Sequence, residues 1–150
     1  MIDITVRPWI SSAPPIITPK ESVARARELL REVGASELLV FDEQQLVGTL
    51  SERDIWENCP ISTLMVDEKQ ANELLDQFRV AGVMALHPVT IDPDISVAEA
   101  AEMLAQSRRS GLPVLEKGEV IGYLTEAGLM RAVAMLLGNA YSLGKGNTSS

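Results

Sequence analysis

PVTIDPDISVAEAAEMLAQSRRSGLPV, at residues 88–114, aligns without a gap with PPIITPKESVARARELLREVGASELLV at residues 14–40. Three pairs of identical residues set the offset at 74 positions: Pro19 and Pro93, Ser22 and Ser96, Gly48 and Gly122. The match continues downstream, so that residues 14–57 form one copy and residues 88–131 a second. A regular internal repeat indicates two copies of one supersecondary unit.

Each copy predicts the same series of elements. A short strand (residues 15–18 or 89–92) precedes a serine N-cap, Ser22 or Ser96, and an apolar stripe at helical spacing, which includes Val33 in the first copy. Two apolar runs around a polar turn then indicate a hairpin, and a second helix follows from Ser51 or Thr125. One such unit would leave a sheet face bare, so we expect an α/β fold of two β-α-β-β-α half-domains packed as a pseudo-twofold pair.

Outside the repeat, residues 67–80 carry an apolar face at helical spacing. We therefore expect four segments: half-domain 1 at 1–62, a linker helix at 63–82, half-domain 2 at 83–139 and a flexible tail at 140–150. The C-terminal helix is expected to end near Leu137 with Gly138 as its C-cap.

Composition excludes several classes of protein. The chain has 150 residues, 46% of them apolar, and a formal net charge of −8, which argues against nucleic-acid binding because that rests on neutralising phosphates. Cys59 is the only cysteine, so no intrachain disulfide is possible. No apolar run approaches the roughly 20 residues that span a bilayer. We expect a cytoplasmic protein without a membrane partner.

The duplicated residues resemble the CBS domain, named after cystathionine β-synthase, in its usual tandem pair, the Bateman-type module. Besides the two opening stretches, the resemblance rests on LVGTLSERD at 46–54 and VIGYLTEAG at 120–128. Two positions depart from the family pattern: Leu39 lacks the usual strand proline, and Gly128 stands where an acidic residue is usual. The resemblance implies a stand-alone regulatory sensor, not an enzyme, that acts on an effector protein the sequence does not identify.

The end of the first copy matches the family's nucleotide-contacting pattern, with candidate residues Gly48, Thr49, Leu50, Ser51, Arg53 and Asp54. A glycine lets a ligand approach the backbone, and a hydroxyl at a helix start favours a phosphate. A carboxylate one turn later can accept the ribose hydroxyls. The alternative is purely structural: Ser51 and Asp54 form a capping box that stabilises the helix.

The second copy keeps Gly122 and Thr125 but has Gly128 in place of the carboxylate, so we predict one principal site. The resemblance implies that the other half completes this site just before its Leu-Pro-Val strand, through Arg108, Arg109, Ser110, Gly111, Leu112 and Pro113. A second, weaker site would use Ser36 and Thr125. Arginine suits phosphate because its planar fork donates in pairs. The negative net charge favours AMP or ADP over ATP.

Two alternatives to an adenine-nucleotide sensor remain open. One is a scaffold or dimerisation module with no physiological nucleotide, and the other is a sensor of another adenosyl ligand such as S-adenosylmethionine or NADH. In either case we expect a homodimer that buries the apolar C-terminal helix. No cofactor is required, and the sequence predicts no metal site because His87 is the only histidine. No nucleophile and base form a catalytic pair.

Overall fold

The computed structural model describes residues 4–59 and 67–148, with side chains described to residue 139. The chain forms two compact units. The first unit is Pro14–Pro88, and the second unit joins Met1–Ala13 to Val89–Ser150. Each unit contains one copy of the repeat, yet the division differs from the expected boundaries at both ends of the first copy. The expected boundary between residues 62 and 63 lies within 60–66, outside the described residues.

The first unit follows the predicted β-α-β-β-α order and extends it. Its elements are β1 Ile16–Ile17, α1 Val23–Val33, β2 Glu37–Asp42, β3 Gln45–Ser51, α2 Glu52–Asn58, α3 Glu68–Leu75 and β4 Ala85–Leu86. The strands form one sheet in the order β1-β2-β3-β4. β1 runs parallel to β2, whereas the β2–β3 and β3–β4 pairs are antiparallel.

The second unit repeats this arrangement with α4 Val97–Ser107, the antiparallel hairpin β5 Gly111–Glu116 and β6 Glu119–Thr125, and α5 Glu126–Thr148. The strand expected at residues 89–92 is reduced to one parallel bridge between Ile91 and Val114. Proline accounts for this difference. The N–H of Leu39 donates to Pro15 O at 3.0 Å in the first unit, but its counterpart Pro113 has no N–H to donate.

The helix starts confirm the predicted caps. Ser22 Oγ accepts the N–H of Arg25, and Ser96 Oγ accepts the N–H of Glu99, each at 3.1 Å. The predicted apolar stripe of α1 is wrong at one position, because Val33 is 56% exposed. At 3.6 residues per turn, a residue ten positions after Val23 is rotated about 80° from it and leaves the buried face.

Each unit has its own hydrophobic core. In the first unit, alternate residues of the hairpin (Leu38, Val40 and Leu50) pack with α1 and with Leu75 of α3. The second unit uses the matching residues Leu112, Val114 and Leu124 together with Val6 from the N-terminal segment.

The structural repeat begins earlier than the sequence repeat. The N–H of Val6 donates to Ile95 O at 3.1 Å, and 74 residues later the N–H of Val80 donates to Glu21 O at 2.9 Å. Both valines are fully buried. Ser11 pairs with β6 as β4 pairs with β3. The segment that precedes each copy in the chain therefore completes the unit formed by the other copy, which explains the observed division.

Two expected segments need correction. The linker helix is shorter than residues 67–80, since α3 ends at Leu75 and the chain then forms a bridge between Arg79 and Ser22. It is also part of the first unit, not a separate linker. The C-terminal helix does not end at Gly138, because α5 continues to Thr148 through most of the tail expected to be flexible. A glycine that ends a helix as a C-cap commonly has positive φ, as Gly34 does at φ 71°, and Gly138 is not among the glycines with positive φ.

Candidate functional site

Ser51 and Asp54 form a closed pair at the junction of β3 and α2. Oδ2 of Asp54 accepts the backbone N–H of Ser51 at 2.8 Å and the Ser51 hydroxyl at 2.9 Å. The backbone N–H of Asp54 donates to Ser51 Oγ at 3.1 Å, which completes a capping box. Asp54 is only 6% exposed. The capping box, which the sequence offered as a purely structural role for Ser51 and Asp54, is therefore present in the folded chain.

The capping box determines where the Asp54 carboxylate lies. The two bonds from Ser51 hold this carboxylate in a fixed orientation at the start of α2. The same bonds stabilise the first turn of the helix.

Gly48 has a structural explanation that differs from the predicted one. A Cβ at this position would lie 2.7 Å from Ala85 O and 3.0 Å from Met84 Sδ. In the second unit, a Cβ at Gly122 would lie 2.7 Å from Ser11 O. The close approach that the sequence suggested for a ligand is made by the protein's own backbone, which is why both copies need glycine here.

The other predicted residues of the first unit differ in accessibility. Leu50 is fully buried in the core, and Thr49 is also buried. The Arg53 side chain is exposed, and its Nε donates to Glu57 Oε1 at 3.0 Å on the surface of α2. Leu50 is thus a packing residue, whereas Ser51 and Asp54 form a hydrogen-bonded polar pair at this junction.

The equivalent junction in the second unit has no room for a carboxylate. Thr125 Oγ1 accepts the N–H of Gly128 at 2.9 Å, as Ser51 does from Asp54. A Cβ at Gly128 would lie 2.8 Å from Trp9 O. The N-terminal segment therefore occupies the space that a side chain would need, and the difference between the copies has a steric cause.

The predicted residues 108–113 all lie in the second unit. Arg108 is exposed and caps α4 with φ 59°, and the N–H of Arg109 donates to Ser107 Oγ at 3.1 Å. Ser110 O accepts the N–H of Glu126 at 3.1 Å. The remaining three residues are buried in β5: Gly111, Leu112 and Pro113. Leu112 belongs to the core, and a Cβ at Gly111 would lie 2.8 Å from Leu124 O.

The structure brings some of these residues together within each unit. In the first unit, Glu37 pairs with Ser51 across the hairpin, so the preceding residue Ser36 lies beside the start of α2. In the second unit, Gly111 pairs with Thr125 in the same way and places Ser110 beside the start of α5. The remaining predicted pairings, of 48–54 with 108–113 and of Ser36 with Thr125, join residues of different units.

Comparison with known proteins identifies the family. The sequence profile of the CBS domain matches residues 6–55 and 80–135. The chain belongs to the CBS-domain family. Both matches begin within the segments that precede the copies, in agreement with the structural repeat described above.

The match covers a small part of one relative and most of another. The chain is 34% identical over 112 residues to an inosine-5'-monophosphate dehydrogenase of Korarchaeum cryptofilum, which covers 73% of the chain but only 20% of that enzyme. It is 30% identical over 100 residues to a CBS domain-containing protein of Dictyostelium discoideum, which covers 66% of the chain and 69% of that protein. A match to a fifth of an enzyme transfers no activity to this chain.

Solved structures give the same fold. The CBS-pair protein CBSX2 from Arabidopsis thaliana superposes with a TM-score of 0.73 at 25% identity, covering 90% of this chain and 97% of that one. A structure of CBSX2 in complex with AMP gives a TM-score of 0.70 at 28% identity, with coverage of 87% and 97%. The predicted family and the CBS-pair fold are confirmed.

Two further properties of the CBS pair concern membranes and metal ions. Among the described residues, no helix combines the length and the apolar character needed to cross a membrane. Within the same residues, no three His, Cys, Asp or Glu side chains come together as a metal site.

One feature near the candidate site was missed from the sequence. Arg27 of α1 is 6% exposed, and its guanidinium lies 5.1 Å from the Trp56 ring centroid of α2. Its Nη1 contacts Glu68 Oε1 of α3 at 3.1 Å. The sequence held a signal, because Arg27 lies four residues after Val23 on the buried face of α1, where an arginine needs partners.

A buried acid was missed as well. Glu37 is 1% exposed at the start of β2, opposite Ser51. Its counterpart in the repeat is Gly111, so the two copies differ at this position as they do at Asp54 and Gly128. Comparison of the copies position by position could have revealed it.

Proposed function

We propose that this CBS pair binds an adenine nucleotide at Ser51 and Asp54 and acts as a regulatory sensor that signals the ligand by a conformational change. The observation that carries the proposal is the buried Asp54 carboxylate, which Ser51 holds in a fixed orientation at the start of α2. The AMP complex of CBSX2, a protein of the same fold, supports the choice of ligand class.

The proposal assigns the ribose and the phosphate of the nucleotide to different residues. The Asp54 carboxylate accepts the ribose hydroxyls, and hydrogen bonds to a charged group contribute about 1.5–3 kcal/mol. Arg108 and Arg109 of the second unit supply positive charge for the phosphate. With a net charge of −8, AMP or ADP is favoured over ATP. A weaker site would use Ser36 and Thr125, where Gly128 supplies no carboxylate.

The ribose assignment is tested by calorimetric titration of the full chain with AMP, ADP, ATP, S-adenosylmethionine and NADH. Asp54→Asn keeps the size of the side chain and an acceptor for the Ser51 N–H, so circular dichroism should show an intact fold. We expect this variant to weaken AMP binding by about ten- to a hundredfold. Asp42→Asn, which removes an exposed carboxylate at the end of β2, is the matched control and should bind as wild type.

The possible results separate the alternatives. No binding of any of these compounds favours a dimerisation module without a physiological nucleotide. Tightest binding of S-adenosylmethionine or NADH identifies a sensor of another adenosyl ligand. Equal binding by wild type and Asp54→Asn removes the ribose assignment.

The phosphate assignment has its own test. Arg109→Gln should weaken AMP binding by about tenfold because a charge-assisted bond to phosphate is lost. The same substitution should leave adenosine binding unchanged, since adenosine has no phosphate. If AMP and adenosine lose affinity equally, Arg109 acts on the fold or on the nucleoside and the assignment is wrong.

We also propose that the CBS pair forms a homodimer through α5. Met130 and Leu137 lie seven residues apart on one side of this helix and are 65% and 66% exposed. Such apolar surface favours association. Light scattering should report a dimer for wild type and a monomer for the double substitution Met130→Glu, Leu137→Glu. Met135→Glu, which alters a different side of α5, should remain dimeric.

A further inference from the structure

Four charged side chains connect the start of α2 to α3. Oε1 of Glu68 contacts Nη1 of both Arg31, at 2.6 Å, and Arg27, at 3.1 Å. Oε1 of Glu52, the first residue of α2, lies 3.8 Å from Arg31 Nη2 and 3.9 Å from Arg27 Nε. Two arginines of α1 thus lie between one carboxylate from each of two other helices.

The contacts of Glu52 with the two arginines are longer than those of Glu68. Among the described residues, Arg27 Nε has no hydrogen-bond partner although the residue is buried. An unsatisfied buried donor costs free energy, and a hydrogen bond from Arg27 Nε to Glu52 would remove that cost. Glu52 follows Ser51 directly, and a small movement of the first turn of α2 therefore changes how well Arg27 is satisfied.

The chain that follows α3 also contacts β3 and α2. β4 pairs with β3 at Gly48 and Thr49. The side-chain amide of Asn58, at the end of α2, donates to Val83 O at 3.1 Å. The segment formed by α3, the following turn and β4, residues 68–86, therefore contacts the end of α2 and β3 directly. It connects to the start of α2 through Arg27 and Arg31.

The repeat supplies an internal comparison. At the positions of Arg27 and Arg31 the second copy has Ala101 and Ala105, although it keeps an acidic residue, Glu126, at the position of Glu52. Both arginines thus occur only in the copy that packs against α3. Their function is specific to this segment.

We propose that residues 68–86 report occupancy of the site at Ser51 and Asp54, with Glu52 as the residue that links α2 to α3. The inference rests on the proposed function, since it requires a ligand on Asp54. A ligand that holds Asp54 against Ser51 disfavours opening of the first turn of α2. Because opening carries Glu52 away from Arg27 and Arg31, the ligand also stabilises the docked position of α3. An effector protein would then read the ligand through this segment.

The test is hydrogen exchange of the full chain with and without AMP, at a concentration that calorimetry shows to be saturating. We expect AMP to slow amide exchange in residues 68–86 by at least roughly threefold, a change of about 0.7 kcal/mol in the opening equilibrium. In Glu52→Gln this slowing should fall by more than half, with AMP affinity within about threefold of wild type. Glu57→Gln removes the same charge from α2. Among the described residues Glu57 pairs with Arg53 alone, so this variant should respond as wild type.

A fluorescence measurement gives a second reading. Trp56 stacks on Arg27 within the cluster, and Trp9→Phe leaves it as the only tryptophan. AMP should change its emission, and Glu52→Gln should reduce that change.

The outcomes distinguish the two proposals. If AMP does not bind the wild type, the proposed function fails and the link fails with it. If AMP binds without slowing exchange in residues 68–86, or slows it equally in Glu52→Gln, the link is overturned and the proposed function stands. A loss of AMP affinity in Glu52→Gln as large as in Asp54→Asn would make Glu52 a ligand contact and overturn its linking role.

Discussion

Gly128 and Gly138 lie in the same helix, α5, but have different surroundings. A Cβ at Gly128 would lie 2.8 Å from Trp9 O, whereas a Cβ at Gly138 would meet no described atom within 4 Å. We therefore predict opposite effects of alanine. Gly128→Ala should destabilise the protein by about 1–3 kcal/mol through overpacking. Gly138→Ala should stabilise it by about 0.5–1 kcal/mol because alanine is the better helix former.

Urea denaturation of both variants and the wild type measures this difference. Equal and stabilising effects would show that the Trp9 backbone moves aside without cost. In that case Gly128 would not be a steric requirement, and the asymmetry between the copies would need another cause.

At the residue scale, the sequence predicts what depends on near neighbours. Ser51 and Asp54 are three residues apart, so a helix start is enough to bring them together, and the predicted pair is observed. Gly48 and Gly128 could not be explained in this way. The atoms that exclude a Cβ there belong to Ala85 and Trp9, which are distant in sequence.

At the element scale, the docking of α3 should depend on pH. The hydrogen bond from Arg31 holds the pKa of Glu68 below its ordinary value. A carboxyl group with a lowered folded-state pKa contributes stability that is complete above its ordinary pKa, about 4.3, and is lost as the pH falls through the lowered value. We therefore predict that α3 loosens in acid below about pH 4.

Trp56 emission between pH 6 and pH 2.5, in the Trp9→Phe background, follows this loosening. Glu68→Gln should weaken α3 docking at pH 6 and remove part of the acid-dependent change. Glu73→Gln changes an exposed carboxylate of the same helix and should follow the wild-type profile. If Glu68→Gln and wild type give the same profile, the ion pairs of Glu68 do not hold α3.

At the element scale, features that depend on residues close in sequence were predictable, and features that depend on residues distant in sequence were not. The hairpins and the serine caps were predictable because their signals lie within a few residues. The end of α3 at Leu75 was not predictable, since the chain that follows pairs at Arg79 with Ser22, which is distant in sequence. The course of α5 was mispredicted because a glycine in a helix is tolerated unless its backbone takes positive φ.

At the scale of the whole molecule, each unit is completed by the segment that precedes the other copy, and this arrangement leads to a prediction. Val6 precedes the first copy but is buried in the core of the second unit, and Val80 precedes the second copy but is buried in the core of the first. Valine-to-alanine substitution in a core costs about 1–3 kcal/mol. Val6→Ala should therefore weaken the unit that contains β5 and β6, more than 100 residues away in sequence, whereas Val80→Ala should weaken the unit that contains β2 and β3.

Hydrogen exchange resolved to peptides distinguishes the two units. Val6→Ala should raise exchange mainly in residues 111–125, and Val80→Ala mainly in residues 37–51. Val33→Ala, at an exposed position of α1, should change neither. If Val6→Ala instead raised exchange in the copy that follows it along the chain, each half would be a contiguous piece of sequence. Because the structure makes each half depend on a segment that lies before the other copy, neither copy of the repeat should fold stably when it is expressed without that segment.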